Sequence, residues 1–189
     1  MSERSKPGPG TVVSVNLSPR KTMRKKPVEQ ATLVHDRGFA DDAHAGDWHR
    51  QVSLLAMESI DSMRAKGLDV GPGDFAENIT TSGIDLLALP VGSKLAVGGG
   101  VVLEISQIGK VCHTKCAIFY QAGDCVMPRE GLFAVVRAEG PVRVGDTVEV
   151  LEMGEGTCDR TPPEAIAEFE AEKAAEAARE CDKASKRKG

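Results

Sequence analysis

Short β-patterned runs, each cut off by glycine, proline or aspartate, recur along this chain and leave few architectures open to it. Residues 11–17 alternate, with Val13, Val15 and Leu17 on one face, the period-two signature of a half-buried strand. Residues 27–35, 75–81, 94–97, 101–107, 132–137 and 147–151 each read as a further short strand between turns. With 20 glycines and 10 prolines to supply those turns, the pattern favours a closed or nearly closed β-barrel over a parallel sheet. The predicted fold is therefore mostly β, with a short helix over residues 57–66 stopped by Gly67. One internal echo fits small-barrel geometry. Residues 90–97 (PVGSKLAV) resemble Pro141-Val142 followed by residues 145–150 (GDTVEV), both a turn feeding a strand.

A chain of 189 residues suits one domain with an appendage. Residues 1–10, rich in proline, glycine and charge, are expected to be a disordered leader, and residues 11–152 the barrel. After Thr161-Pro162-Pro163 the composition turns to alanine, glutamate and lysine, so residues 153–189 read as a linker and a charged helical tail. Only Ile166 and Phe169 give that helix an apolar stripe, and no catalytic residue is expected there. No apolar run approaches the ~20 residues of a membrane span, and the N-terminus lacks the apolar stretch of a signal peptide. The expectation is a cytoplasmic protein with no membrane partner. Five cysteines, an odd number, in such a chain point to reduced thiols rather than a disulfide framework.

The net charge of -4 hides a strong asymmetry. Residues 1–26 hold seven bases (Arg4, Lys6, Arg20, Lys21, Arg24, Lys25, Lys26) against Glu3 alone. Such a cluster is either a solvated surface or the contact for an anion. Nucleic acid is not expected, because the rest of the chain is acidic and aromatic residues make up only 4% of the sequence, too few for base-stacking platforms. A small phosphorylated ligand fits better.

Two segments carry candidate chemistry. Residues 36–49 form a loop rich in Gly, Asp and His that holds Arg37, Asp42, His44 and Trp48, and Arg50 follows it. Residues 109–131 crowd Cys112, His113, Cys116 and Cys125 among Lys110, Lys115 and Arg129, cations that favour the reactive thiolate. Three readings of that block stay open: a zinc site, cysteines buried as small apolar residues, and a soft-metal or sulfur-handling site.

The ordered succession of Lys25-Lys26-Pro27-Val28, the Gly38 to Gly46 loop with Asp42 and His44, His49-Arg50-Gln51-Val52, Phe75-Ala76-Glu77-Asn78-Ile79, the Cys112 to Gly131 block and Gly145-Asp146 resembles the MOSC domain, the C-terminal domain of molybdenum cofactor sulfurases. The resemblance spans roughly residues 10–152 and is nearest to the small stand-alone bacterial type. It implies a β-barrel that binds a molybdenum pyranopterin cofactor, with a cysteine as sulfur carrier or molybdenum ligand. Cys116 matches that position best, Cys112 is the second choice, and Cys125 is the third thiol of the block. Lys25 and Asn78 match cofactor-contacting positions, and Asp42 and Arg50 match motif positions. Lys26 and Arg129 complete the expected cofactor-binding residues. A pyranopterin asks for cations, amide donors and a soft ligand, and the Arg24-Lys25-Lys26 cluster, Asn78 and a thiolate answer each demand.

The function this implies is sulfur transfer to the cofactor, or its carriage, through a reactive cysteine. One alternative is a molybdenum-dependent reductase of N-hydroxylated substrates served by an external electron donor; the other is a zinc-stabilised, non-catalytic binding module. The implied partners are proteins of molybdenum cofactor biosynthesis or molybdoenzymes. The extra Cys112 and Cys125 depart from the reductase pattern.

Overall fold

A computed structural model describes residues 6–21, 23–110, 118 and 125–156. The expected C-terminal helix lies outside them, as do residues 1–5 of the leader. Eleven strands, two α-helices and one 3-10 turn (Leu86–Ala88) are seen among the described residues: β1 (Gly10–Leu17), β2 (Lys26–Val28), β3 (Gln30–Val34), β4 (Gly38–Phe39), β5 (Val52–Ala56), α1 (Met57–Ala65), β6 (Ile79–Ser82), β7 (Lys94–Val97), β8 (Val101–Ile108), α2 (Met127–Glu130), β9 (Leu132–Ala138), β10 (Gly140–Arg143) and β11 (Thr147–Glu152).

Seven of these strands close a barrel in the order β11-β7-β8-β9-β5-β6-β1, with β1 returning to β11 and β2 added beside β1. Its pairings are antiparallel except β5 with β6, which run parallel. A parallel pair cannot be joined by a tight turn, and here the connection carries α1 across the outside of the barrel. A second sheet, β10-β3-β4, stands beside it. The mostly β barrel expected from the sequence is what forms. The two echoing segments become direct neighbours, since β7 and β11 pair antiparallel with Val97 opposite Val148 and Leu95 opposite Val150.

Three expectations need correction. The strand expected over residues 27–35 is two strands in different sheets, because the chain leaves the ladder at Glu29 and β3 pairs with β10 instead. The strand expected over residues 75–81 begins only at Ile79, since Ala76 adopts φ 64, a left-handed backbone that no ladder accommodates. In β1 the buried face starts with Val12 rather than Val13, which is 37% exposed. A register shift between Val12 and Ser14 accounts for this: the bulge inserts one residue and flips the alternation, so that Val12 and Val15 both point inward.

Alternation divides the apolar residues into two clusters. Val12, Val15, Leu54, Ile79, Leu103 and Leu132 belong to the barrel interior. Leu55 and Phe133, one residue along from Leu54 and Leu132, face outward into a second cluster with Ile60, Met63, Phe75, Cys125 and Met127. The outer surface of β5 and β9 is thus covered rather than solvated.

The bulge makes neighbouring valines unequal. Val12→Ala is expected to lower the unfolding free energy by roughly 2 kcal/mol and Val13→Ala by less than about 0.5 kcal/mol, as read by urea denaturation. Equal effects would contradict the bulged register.

Candidate functional site

On β1, β6 and β5 several outward positions are polar yet buried. Ser14, Asn16, Ser53 and Thr80 are each shielded from solvent, so their side chains must find partners in one another. Ser14 donates to Asn16 Oδ1 at 2.7 Å, and Asn16 Nδ2 donates to Thr80 Oγ1 at 3.2 Å. Asn78 extends the seam: its Oδ1 accepts from the Ser53 backbone N–H at 3.2 Å and from Ser53 Oγ at 3.1 Å, while its Nδ2 donates to the Asn16 carbonyl at 3.2 Å. The Asn78 amide thereby clamps β1 to β5 at the point where β6 begins.

Next to this seam lies a buried ion pair. Lys25 Nζ stands 2.7 and 2.6 Å from the two oxygens of Asp42, with side-chain exposures of 1% and 2%. The same carboxylate accepts from the backbone N–H of Ser18 at 3.0 Å and of His44 at 2.9 Å, and His44 Nδ1 lies 3.2 Å from it. Burial works to raise the Asp42 pKa, but the hydrogen bonds from His44 and Lys25 outweigh it and hold the carboxyl well below the usual carboxylate range. Burial pulls Lys25 down from the ordinary lysine value against the opposing influence of Asp42.

Gly73 joins the ion pair to the seam. It has φ +87, and a Cβ there would collide with the Lys25 carbonyl oxygen, so only glycine allows the approach in which Lys25 N–H donates to the Gly73 carbonyl at 3.0 Å. The Gly73 N–H in turn donates to Glu77 Oε1 at 2.6 Å, and Thr80 Oγ1 donates to the same oxygen at 2.9 Å. Glu77 is fully buried, and burial pushes its carboxyl pKa up. Its Oε2 has no hydrogen-bond partner among the described residues.

Arg50 behaves differently from Lys25. Half-buried at the entry to β5, its guanidinium lies 4.8 Å from the Trp48 ring and 5.7 Å from that of Phe133. Its Nε is buried and has no hydrogen-bond partner among the described residues, and burial lowers its pKa from the ordinary arginine value. A cation held by two aromatic faces, with a donor unspent, is built to receive an anion. Phe133 also belongs to the outer apolar cluster that contains buried Cys125, so Arg50 borders the cluster that holds this thiol.

The residues expected from the sequence thus separate by environment. Lys25, Asp42 and Asn78 are buried and engaged with one another's neighbours, Arg50 offers an unspent donor, and Lys26 and Arg129 are exposed. Arg129 comes within 4.0 Å of Glu130. Cys112 and Cys116 lie outside the described residues. Among the described residues no three His, Cys, Asp or Glu side chains gather as a metal cage. Sequence reasoning missed Ser14, Asn16, Ser53, Thr80 and the part played by Glu77. Polar residues at alternate strand positions read as a solvent face, and the one available signal was the Gly71-Pro72-Gly73 turn, whose glycine lets backbone cover that face.

Comparison with known families matches residues 41–149 to the MOSC domain. No curated protein matches the chain. Among solved structures, the YuaD protein of Bacillus subtilis is 18% identical with a TM-score of 0.67, over 79% of this chain and 99% of that one. YiiM of Geobacillus stearothermophilus is 19% identical with a TM-score of 0.59, over 79% of this chain and 78% of its own. YiiM of Escherichia coli is 17% identical with a TM-score of 0.56, over 83% and 75%. At these identities the likeness is one of fold.

Removing one member of the ion pair strands a buried charge. Asp42→Ala is expected to cost about 3–5 kcal/mol, and the double variant Lys25→Met/Asp42→Leu to recover most of it, in a thermal or urea double-mutant cycle. Because the folded-state pKa of Asp42 is depressed, its contribution is present above roughly pH 4 and is lost as the pH falls through the folded value. The wild type should therefore lose more stability in acid than the double variant, and parallel pH profiles would contradict the pairing.

Proposed function

The chain belongs to the MOSC domain family, and from that premise we propose that it binds the molybdenum pyranopterin cofactor and carries it or transfers sulfur to it through a cysteine. The observation that supports this most is Arg50: a half-buried guanidinium against Trp48 and Phe133, with its Nε unspent among the described residues. The donor set fits an anionic cofactor. Arg50 would hold an anionic part of it, and exposed Lys26 would add long-range attraction. The Trp48 and Phe133 rings cover part of the guanidinium, so an anion met there would be less screened than in bulk water.

Asn78 and the Lys25–Asp42 pair take a supporting part in this reading. Their polar atoms are committed to Ser53, Asn16, Ser18 and His44, so they fix the wall against which a ligand would rest. Cys116 is the proposed sulfur carrier or metal ligand, and Cys112 a second thiol near enough in sequence for exchange. When bound, the cofactor supplies a soft metal centre that takes sulfur ligands. The partners in such a task are proteins that make the cofactor or use it.

Protein from a host that makes the cofactor is expected to retain molybdenum and pterin together, by elemental analysis and pterin fluorescence. Arg50→Ala should lower retention of both by roughly tenfold or more, the loss of one charge-assisted hydrogen-bonding group. Cys116→Ser should leave the pterin and deplete the transferable sulfur. Protein with neither molybdenum nor pterin above background would overturn the reading.

A further inference from the structure

The hydrogen bonds of β8 settle which nitrogen of His49 carries its proton. The Gly109 carbonyl can only accept, and Gln107 Nε2 donates to it at 2.7 Å. The Gln107 amide oxygen must then face the other way, where it lies 2.9 Å from His49 Nε2. An amide oxygen also only accepts, so Nε2 bears the hydrogen and Nδ1 of the neutral ring is left as a lone-pair acceptor. No described residue donates to Nδ1.

The anchor of this chain is rigid. Gly109 has φ +71, and a Cβ there would collide with the carbonyl oxygen of Pro128; its N–H donates to the Gly131 carbonyl at 2.6 Å. Ser106 Oγ donates to the His49 carbonyl, so β8 holds both the backbone and the ring of this residue. His49 is itself exposed. Its ring stands 6.1 Å from that of Trp48, and the Arg50 guanidinium 4.8 Å from the same indole. A cationic donor and a locked acceptor therefore flank one aromatic ring.

A guanidinium alone receives any oxyanion. Where the Nδ1 lone pair also meets an anion held by Arg50, an oxyanion bearing no hydrogen is repelled, whereas an anion that carries its own donor completes a hydrogen bond. We propose that His49 sets the specificity of the Arg50 site, selecting anions that carry their own hydrogen-bond donor, and that Gln107 is its positioning residue. The inference rests on the reading of Arg50 as the anion anchor.

Inorganic phosphate and sulfate test it on the full chain. At about pH 8 both ions are dianions, but only hydrogen phosphate keeps a hydroxyl. In NMR titrations phosphate is expected to bind roughly tenfold tighter than sulfate, the worth of one hydrogen bond met against one refused. His49→Ala and Gln107→Leu should bring the two affinities within about twofold of each other, and Arg50→Ala should abolish both. Nitrogen-15 spectra should show the Nε2–H tautomer of His49 in the wild type and a mixture in Gln107→Leu, a readout that needs no ligand and no cofactor. Equal binding of the two ions by the wild type, or an Nδ1–H tautomer, would overturn the role of His49 and leave Arg50 standing. Failure of both ions to bind would overturn the anion anchor with it.

Discussion

A single carboxylate organises the polar side of this barrel. Asp42 gathers the ammonium of Lys25, the backbone N–H groups of Ser18 and His44, and the His44 ring, and so fastens the loop after β1 to the loop after β4. Lys25 could not be buried without it, because an unpaired ammonium in that position would cost several kcal/mol of desolvation. Once Lys25 is placed, its backbone meets Gly73, and Gly73 delivers a donor to Glu77. The Asn78 clamp between β1 and β5 follows directly in the chain. Each contact is individually modest; together they keep a polar outer face dry.

That dry outer face explains why the candidate site lies against the barrel wall and not inside it. The interior is filled by Val12, Leu54, Ile79, Leu103 and their neighbours, which leaves it no polar function. Buried polar side chains are found instead at outward positions of β5 and β6, where Ser53 and Thr80 stand beside Phe133 and Leu55. Arg50 borders the apolar cluster through Phe133, and its charge also lies against the Trp48 ring.

Much of this was legible in the sequence, for identifiable reasons. Turn-bounded strands such as β7, β8, β9 and β11 announce themselves because glycine and proline punctuate a backbone that alternates. Lys25, Asp42, Arg50 and Asn78 could be named as candidates through the resemblance to the MOSC domain. Their division of labour could not, since pairing Lys25 with Asp42 across the chain depends on how two loops fold back on β1. The phase of β1 was hidden too, because a bulge is invisible to a period-two pattern that happens to place Val13, Val15 and Leu17 in step. Ser14, Asn16 and Ser53 look like solvent-facing residues until the Gly73 turn is laid over them.

The role proposed for Arg50 is to anchor an anionic cofactor on the outer wall of the MOSC barrel. The most direct measurement is a crystal structure of the chain purified from a host that makes the cofactor, with anomalous data collected at the molybdenum absorption edge. A molybdenum peak is expected on the outer side of β5 and β9, with continuous ligand density reaching the Arg50 guanidinium. A molybdenum peak elsewhere on the molecule, or ligand density that leaves Arg50 untouched, would contradict it.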